Sequence, residues 1–292
     1  MNLVLSSFNY AILFSLKLNK VMNIYKKKAF NFILKVQFSS LSFLFLFCFV
    51  SCNETKEKNL DAEKLFKKEK EDTHLPFKAR MTRQIEASLS IPTNEHYTSK
   101  VFKGHLNADN FEDAIITVNR YDFAIDDASK SLNPAKMAEL GYVGNYNCFF
   151  FYDGKLKKFS NPIMVASSPK APLKVLFEHI QSDFFSDIVI EYRIRNSAYR
   201  SYYLMHQGAI QMMFQWKRFD KVGEAIPDAS FLTYDTGTLT QFKDILVSKG
   251  KIKSYSPSID DVYSYDPVIE NEGVLLYRFF FDPKQLKYVT RK

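Results

Sequence analysis

Two segments of the chain, 74 residues apart, share one pattern of polar and apolar residues. The first is GHLNADNFEDAIITV, residues 104–118, and the second is EHIQSDFFSDIVIEY, residues 178–192. In both, a histidine is followed by aspartates four and eight positions later, and then by an apolar run rich in β-branched residues, which is typical of strands. A repeated motif of this length predicts a fold assembled from repeated structural units.

The two segments correspond position by position. Internal duplication is the simplest explanation, with units at about 100–160 and 175–216. The matching pairs are His105 with His179, Asp109 with Asp183, Phe111 with Phe185, and Asp113 with Asp187.

A third segment, FKDILV at residues 242–247, repeats only the end of the motif. It lacks the upstream histidine and aspartate. Its apolar residues instead share one face of a helix, so we expect a helix between Thr238 and Gly250 in preference to a third copy. These apolar residues are Leu239, Phe242, Ile245 and Leu246.

The remaining pattern predicts a mainly β protein. Aromatic runs on either side of turn residues predict hairpins at 148–159, 202–214 and 277–289, and Asp153-Gly154 favours a two-residue type I′ turn. Four-residue spacing of apolar residues predicts a helix in FKARMTRQIEASLS, 77–90, and capping residues predict another from Asn133 to Gly141. We therefore expect an antiparallel meander or a small propeller-like repeat architecture with a few short helices.

The repeated loops resemble the D-x-N-x-D-G-x-x-D loops of FG-GAP and VCBS repeat proteins, which bind calcium before entering a propeller-type strand. Alternate oxygen side chains surround the hard cation in such loops. The resemblance implies a calcium site in the first loop, and no other cofactor is expected. In the first loop His105 replaces a carboxylate and Asn110 replaces glycine; the second departs further, at His179, Gln181 and Phe184. The implied site consists of His105, Asn107, Asp109 and Asp113.

The same residues also fit two other roles. Aspartates in such loops accept backbone N–H bonds and hold a turn without metal, and this structural corner is the role we favour. Phe111 and Phe185 are then expected to anchor the loops in the core. If the repeats face each other, a transition-metal site is the remaining alternative. That site would join His105 and Asp109 to His179 and Asp183.

The N-terminal region has the layout of an export signal. Residues 1–51 hold six lysines and no acidic residue, and the apolar run LSFLFLFCFV precedes Ser51-Cys52. Phe49-Val50-Ser51-Cys52 resembles the lipobox of bacterial lipoprotein precursors, in which the cysteine is acylated and becomes the new N-terminus. We expect residues 1–51 to be a signal peptide, with translation starting at Met22 and residues 1–21 lying upstream.

The segment after Cys52 predicts a tether. Residues 52–74 are nearly all polar or charged, so they bury too little apolar surface to fold alone. The β-rich domain is expected at 75–292. The formal net charge of +8 is mostly that of the leader, because 34 basic residues face 32 acidic ones without it. A nucleic-acid partner is therefore not expected, and the expected partner is the lipid bilayer, through acylated Cys52.

No catalytic motif accompanies these features. The sequence has no G-x-S-x-G, H-E-x-x-H or phosphate-binding glycine loop. We expect a lipoprotein of the cell envelope, in the outer membrane, that acts as a binding or structural module toward an envelope protein or glycan. An envelope enzyme acting on polysaccharide or peptide, and an inhibitor or immunity-type lipoprotein, are the alternatives. Trp216, Lys217 and Arg218 either form the rim of a binding surface or end a strand.

Overall fold

The computed structural model describes residues 75–131 and 144–290. These residues form two helices, α1 (Phe77–Leu89) and α2 (Tyr121–Lys130), and a succession of β-strands. The strands are β1 (Thr98–Gly104), β2 (Asp113–Asn119), β3 (Gly144–Asp153), β4 (Lys158–Phe159), β5 (Ile163–Ser167), β6 (Lys174–Glu178), β7 (Asp187–Ile194), β8 (Ser197–His206), β9 (Ala209–Asp220), β10 (Asp228–Asp235), β11 (Asp244–Ile252), β12 (Ile269–Asp282) and β13 (Lys287–Val289).

The strands run as three consecutive antiparallel meanders, which confirms the expected mainly β, antiparallel fold. The first meander contains β1–β5, with both β4 and β5 paired to β3. The second contains β6–β9 and the third β10–β13. Two residue pairs between β9 and β10 join the second and third meanders into one eight-stranded sheet.

The second meander lies between the other two. Successive side chains of a strand point to opposite faces of the sheet. On β7, Ile188 and Ile190 share a buried cluster with Ile115 and Phe149 of the first meander. Val189, between them, belongs to a different cluster, formed with β-strands of the third meander. Because β7 is covered on both faces, almost its entire length is buried.

Helix α1 covers the outer face of the first meander, as the sequence predicts. Met81 and Ile85, four residues apart, pack against Ile116 and Phe150. Burial of an isoleucine side chain such as Ile85 contributes about 1.5–3 kcal/mol. The helix ends at Ser90, whose left-handed backbone (φ 51°) turns the chain so that the N–H of Ile91 donates to the carbonyl of Glu86 at 2.9 Å. Neither α1 nor α2 is long and apolar enough to cross a bilayer.

The expected helix between Thr238 and Gly250 is wrong. This segment continues from a loop into β11, which pairs with β10 from Ala229↔Gly250 to Asp235↔Asp244. The buried residues Ile245 and Val247 are two positions apart, which is the spacing of a strand face. Tertiary packing of this face outweighs the weaker helical pattern. Helix α2 was not predicted, and the helix predicted from Asn133 to Gly141 lies outside the described residues.

The three predicted hairpins form, but their turns differ. Gln207-Gly208 is a two-residue turn with φ of 50° and 76°, closed by the pair His206↔Ala209. The type I′ turn expected at Asp153-Gly154 is wrong, because the pair Asp153↔Lys158 encloses four residues. The positive φ there falls on Lys157 (54°). The β12–β13 hairpin also has a four-residue turn.

Gly154→Ala is expected to destabilise the domain more than Gly208→Ala. A Cβ at Gly154 would collide with the backbone carbonyl of Glu112, which cannot move without displacing the first loop. We expect a loss of about 2–3 kcal/mol in the free energy of unfolding. Gly208 has open space around it and only a positive φ, so its substitution should cost about 1 kcal/mol. Urea unfolding of both variants tests this, and an equal or larger loss for Gly208→Ala would contradict it.

Candidate functional site

The first repeated loop is a corner held by a buried carboxylate. Residues 105–112 join β1 to β2, and the pair Gly104↔Asp113 closes them. Asp113 is fully buried. Its Oδ2 accepts the N–H of Leu106 at 3.3 Å, and its Oδ1 accepts the N–H of Gly154 at 3.0 Å. One side chain therefore fixes both the corner and the β3–β4 turn.

The other residues of the implied calcium site bond to the backbone of their own loop. Asn107 Oδ1 accepts the N–H of Asp109 at 2.8 Å, and Asp109 Oδ1 accepts the N–H of Phe111 at 2.9 Å. His105 Nδ1 lies 3.2 Å from the carbonyl of Phe111. Such bonds are those of a structural turn. Calcium binding in this loop stays a prediction.

The second loop has the same construction. The pair Glu178↔Asp187 closes residues 179–186, and buried Asp187 accepts the N–H groups of Ile180 at 3.0 Å and Gln181 at 2.9 Å. His179 Nδ1 lies 3.1 Å from the carbonyl of Phe185, as His105 does from that of Phe111. The two repeated segments thus adopt equivalent strand–loop–strand structures.

A third loop with different residues follows the same plan. The pair Asp235↔Asp244 closes residues 236–243, and buried Asp244 accepts the N–H of Thr238 at 3.2 Å. Thr240 takes the place of Asp109, and its hydroxyl accepts the N–H of Phe242 at 3.2 Å. The hydroxyl of Thr240 therefore replaces the missing carboxylate as the acceptor. Because the acceptor is kept while the residue type changes, the sequence motif predicts the third corner only in part.

The three loops form one continuous edge, which we name the corner row (residues 105–112, 179–186 and 236–243). The N–H of Ser186 donates to the carbonyl of His105 at 2.8 Å, and the N–H of Lys243 donates to that of Ile180 at 2.9 Å. Lys243 also pairs with Asp183 at 3.3 Å. The meanders are thus tied together at the ends of their strands as well as through their faces.

Leu106 and Ile180, and not the phenylalanines, anchor the corners. Both are almost fully buried. Phe111 is 50% exposed, so its expected anchoring role is wrong, and Phe185 is half-buried. Within residues 75–131 and 144–290, no three or more His, Cys, Asp or Glu side chains gather in a metal-binding arrangement. The transition-metal alternative therefore has no geometric support.

The corner carboxylates differ in how their charge is compensated. Burial raises the pKa of Asp113, and the N–H groups of Gly154 and Leu106 partly oppose the shift. Burial likewise raises the pKa of Asp187, against hydrogen bonds from Gln181. Asp244 instead pairs with Arg278 at 2.9 Å. In the first two corners, amide dipoles stabilise the charge.

Cys148 has the environment of a core residue. It is buried on β3, and burial raises the pKa of its thiol to about 12. A thiol that stays protonated at neutral pH is a poor nucleophile.

A cavity of about 260 Å³ lies at the end of the second meander farthest from the corner row. Strand β7 begins at the corner with Asp187 and contributes Glu191 and Arg193 to the cavity near its other end. Two connections complete the walls. One is the linker at 168–173, between the first and second meanders, and the other is the long loop at 253–268, between β11 and β12.

Charged side chains clamp the long loop over the sheet. Asp266 of the loop accepts hydrogen bonds from Lys174 at 2.7 Å and from Arg218 at 2.7 Å. Arg193 donates to the carbonyls of Tyr265, at 3.0 Å, and Val262. Charged and polar contacts therefore hold the loop that forms one wall of the cavity.

Sequence reasoning found only one edge of this cavity. Arg218 lines it, while the neighbouring Trp216 is partly buried and packs against Phe214 and Phe279 of the core. All three residues of the group at 216–218 lie within β9. The other lining residues come from positions between 170 and 266, so no local spacing could have brought them together.

Searches against protein-family models, curated proteins and solved structures found no significant match for this chain. The similarity to FG-GAP and VCBS repeats rests on the residues of the two loops alone. Membership of that family stays a prediction.

Asp113→Ala is expected to lower the free energy of unfolding by about 1–3 kcal/mol, with or without calcium, because the N–H groups of Leu106 and Gly154 lose their acceptor. Asp109→Ala is the matched control. Asp109 caps only the exposed N–H of Phe111, so its removal should cost clearly less. Melting curves in calcium and in chelator measure both. A large rise in melting temperature with calcium, abolished in both variants, would instead identify a metal site.

Proposed function

We propose that the protein is a lipid-anchored lipoprotein of the bacterial cell envelope, in the outer membrane, whose β-rich domain is a binding module. The anchor is Cys52, which follows the lipobox-like residues and lies outside the described residues. The mixed-charge segment at 52–74 would be the tether that joins this anchor to the β-rich domain.

The observation that carries the binding role is the cavity at the far end of the second meander. Its lining comes from the linker at 168–173, from strands of the second meander and from the loop at 253–268. Convergence of a few polar groups and aromatic rings in a concave site is typical of ligand pockets. Its volume of about 260 Å³ suits a ligand the size of a monosaccharide or an amino acid. An envelope glycan or peptide supplies groups of that size.

The carboxylates of the cavity support binding over catalysis. A general acid needs a pKa near the working pH. Although burial acts the other way, the ion pairs with Lys174 and Arg218 lower the pKa of Asp266. Glu191 is engaged by Arg200 at 2.6 Å. These two carboxylates are therefore held as ion-pair partners.

Cys52→Ala is expected to abolish lipid attachment. Radiolabelled palmitate should enter the wild-type protein and be absent from the variant, which should accumulate as unprocessed or soluble protein. Cys148→Ala is the control, because a thiol buried in the β-rich domain should not affect labelling. Wild-type protein without label would disprove the anchor, whatever the domain binds.

Blocking the cavity is expected to abolish binding without unfolding the domain. Ser264→Trp places a large ring at the exposed edge of the cavity, and Ser258→Trp places the same ring elsewhere on the same loop. Soluble glycan and peptide fragments released from the envelope should raise the melting temperature of the wild type and of Ser258→Trp, but not that of Ser264→Trp. If no fraction raises the wild-type melting temperature, the binding role is wrong.

A further inference from the structure

We propose that the cavity binds a small organic carboxylate, with the carboxylate group against Arg193. This inference rests on the proposed binding function and specifies its ligand. The carboxylate of an acidic sugar and that of a peptide C-terminus present the same chemistry. Three features of the cavity support this ligand class: the net charge of its lining, the position of Arg193 and the apolar surface beside it.

The charge of the cavity lining favours a ligand with one negative charge. Four basic side chains face three carboxylates, which leaves one positive charge unmatched. A ligand with one negative charge would balance the site. A phosphate dianion would add a surplus negative charge beside Glu191 and Asp266, and like charges at short range are costly. The basic residues are Lys170, Lys174, Arg193 and Arg218, and the acidic residues are Glu191, Asp261 and Asp266.

The position of Arg193 indicates where the ligand carboxylate binds. Its side chain is more than nine-tenths buried, and its guanidinium lies 4.6 Å from the centre of the Phe219 ring. It donates only to backbone carbonyls, and within the described part of the chain its Nε–H has no acceptor. An unpaired buried donor costs about 1–3 kcal/mol, more when charged. A ligand carboxylate against the guanidinium would give this buried cation of the cavity lining an anionic partner.

The neighbouring arginines show the contrast. Arg200 pairs with Glu191 at 2.6 Å, and Arg218 pairs with Asp266 at 2.7 Å. No carboxylate of the described residues lies within ion-pair distance of Arg193. Burial lowers the pKa of Arg193 to about 10, so it remains charged at neutral pH. Asp266 and Asp261 stabilise the charge of Arg193 only from beyond ion-pair distance, so this buried cation of the cavity has room for a closer anionic partner.

The rest of the cavity lining fits the small organic group to which the ligand carboxylate is attached. Ala171 and Pro172 on the linker and Tyr265 on the long loop provide apolar and aromatic surface. Lys170 is exposed, with its Nζ 5.1 Å from the centre of the Tyr263 ring. A cation at the edge of a cleft attracts anions from solution.

Calorimetry on the full chain in detergent tests the proposal with four probes. D-glucuronate and N-acetylalanine carry one carboxylate, D-glucose has a similar ring without charge, and inorganic phosphate has charge without a body. We expect at least one carboxylate to bind at least tenfold more tightly than glucose and phosphate, and more weakly as salt rises. Binding of glucuronate alone would indicate that the ligand is an acidic sugar. Binding of N-acetylalanine alone would indicate a peptide C-terminus. Glucose binding as tightly as glucuronate, or no carboxylate binding, would overturn the proposal.

Variants at Arg193 and Lys170 test which basic side chain binds the ligand carboxylate. Arg193→Gln should weaken binding at least tenfold, while Arg193→Lys, which keeps the charge, should weaken it less. Lys170→Gln should weaken it a few-fold with an unchanged melting temperature, because the side chain is exposed. Unchanged affinity in folded Arg193→Gln would disprove the site. If that variant does not fold, unchanged affinity in Lys170→Gln together with no salt dependence would do so.

The outcomes separate this inference from the proposed function. If envelope fragments stabilise the wild type through the Ser264 edge but no carboxylate probe binds, the ligand class is wrong and the binding role stands. If neither fragments nor probes bind, both fail.

Discussion

A buried aspartate begins the second strand of each meander, and the arrangement of the strands depends on it. Asp113, Asp187 and Asp244 each accept backbone N–H groups from the loop that they close. A loop of eight residues would otherwise leave amides unpaired beside the core, at a cost of about 1–3 kcal/mol for each buried group. The N–H groups of Ser186 and Lys243, each the last residue of its loop, donate to carbonyls of the preceding corner, and these bonds align the meanders face to face.

Much of this fold could be predicted from the sequence because its signals are local. Strands β2 and β7 are predicted by their β-branched runs. The Gln207-Gly208 turn is predicted by residues that accept positive φ. The third corner was missed because the required chemistry is an acceptor at each position and not a particular residue: Thr240 replaces Asp109 and still caps the N–H of Phe242. The Asp153-Gly154 turn was misjudged because a contact 41 residues away, from Gly154 to Asp113, sets its geometry.

The cavity could not be predicted from spacing, since its walls meet only through the clamp between the long loop and the sheet. Lys174 and Asp266 are 92 residues apart, and Arg193 and Tyr265 are 72 apart. One local signal was nevertheless present. Strands buried on both faces normally read as continuous apolar runs, and IVIEYRI in β7 breaks this rule at Glu191 and Arg193. Taken alone, however, this pattern predicts a strand and no cavity.

The two exceptions in β7 are not equivalent. Glu191 pairs across the sheet with Arg200, so a structural ion pair accounts for its burial. Arg193 also has a structural role, because its two backbone contacts hold the long loop. Those contacts would be available to a neutral donor, however, and they leave the Nε–H without an acceptor and the guanidinium without a carboxylate at ion-pair distance among the described residues. Removing a charge of this kind from water is costly unless an opposite charge accompanies it. The strand thus keeps its least favourable residue where the cavity gives a ligand access to it.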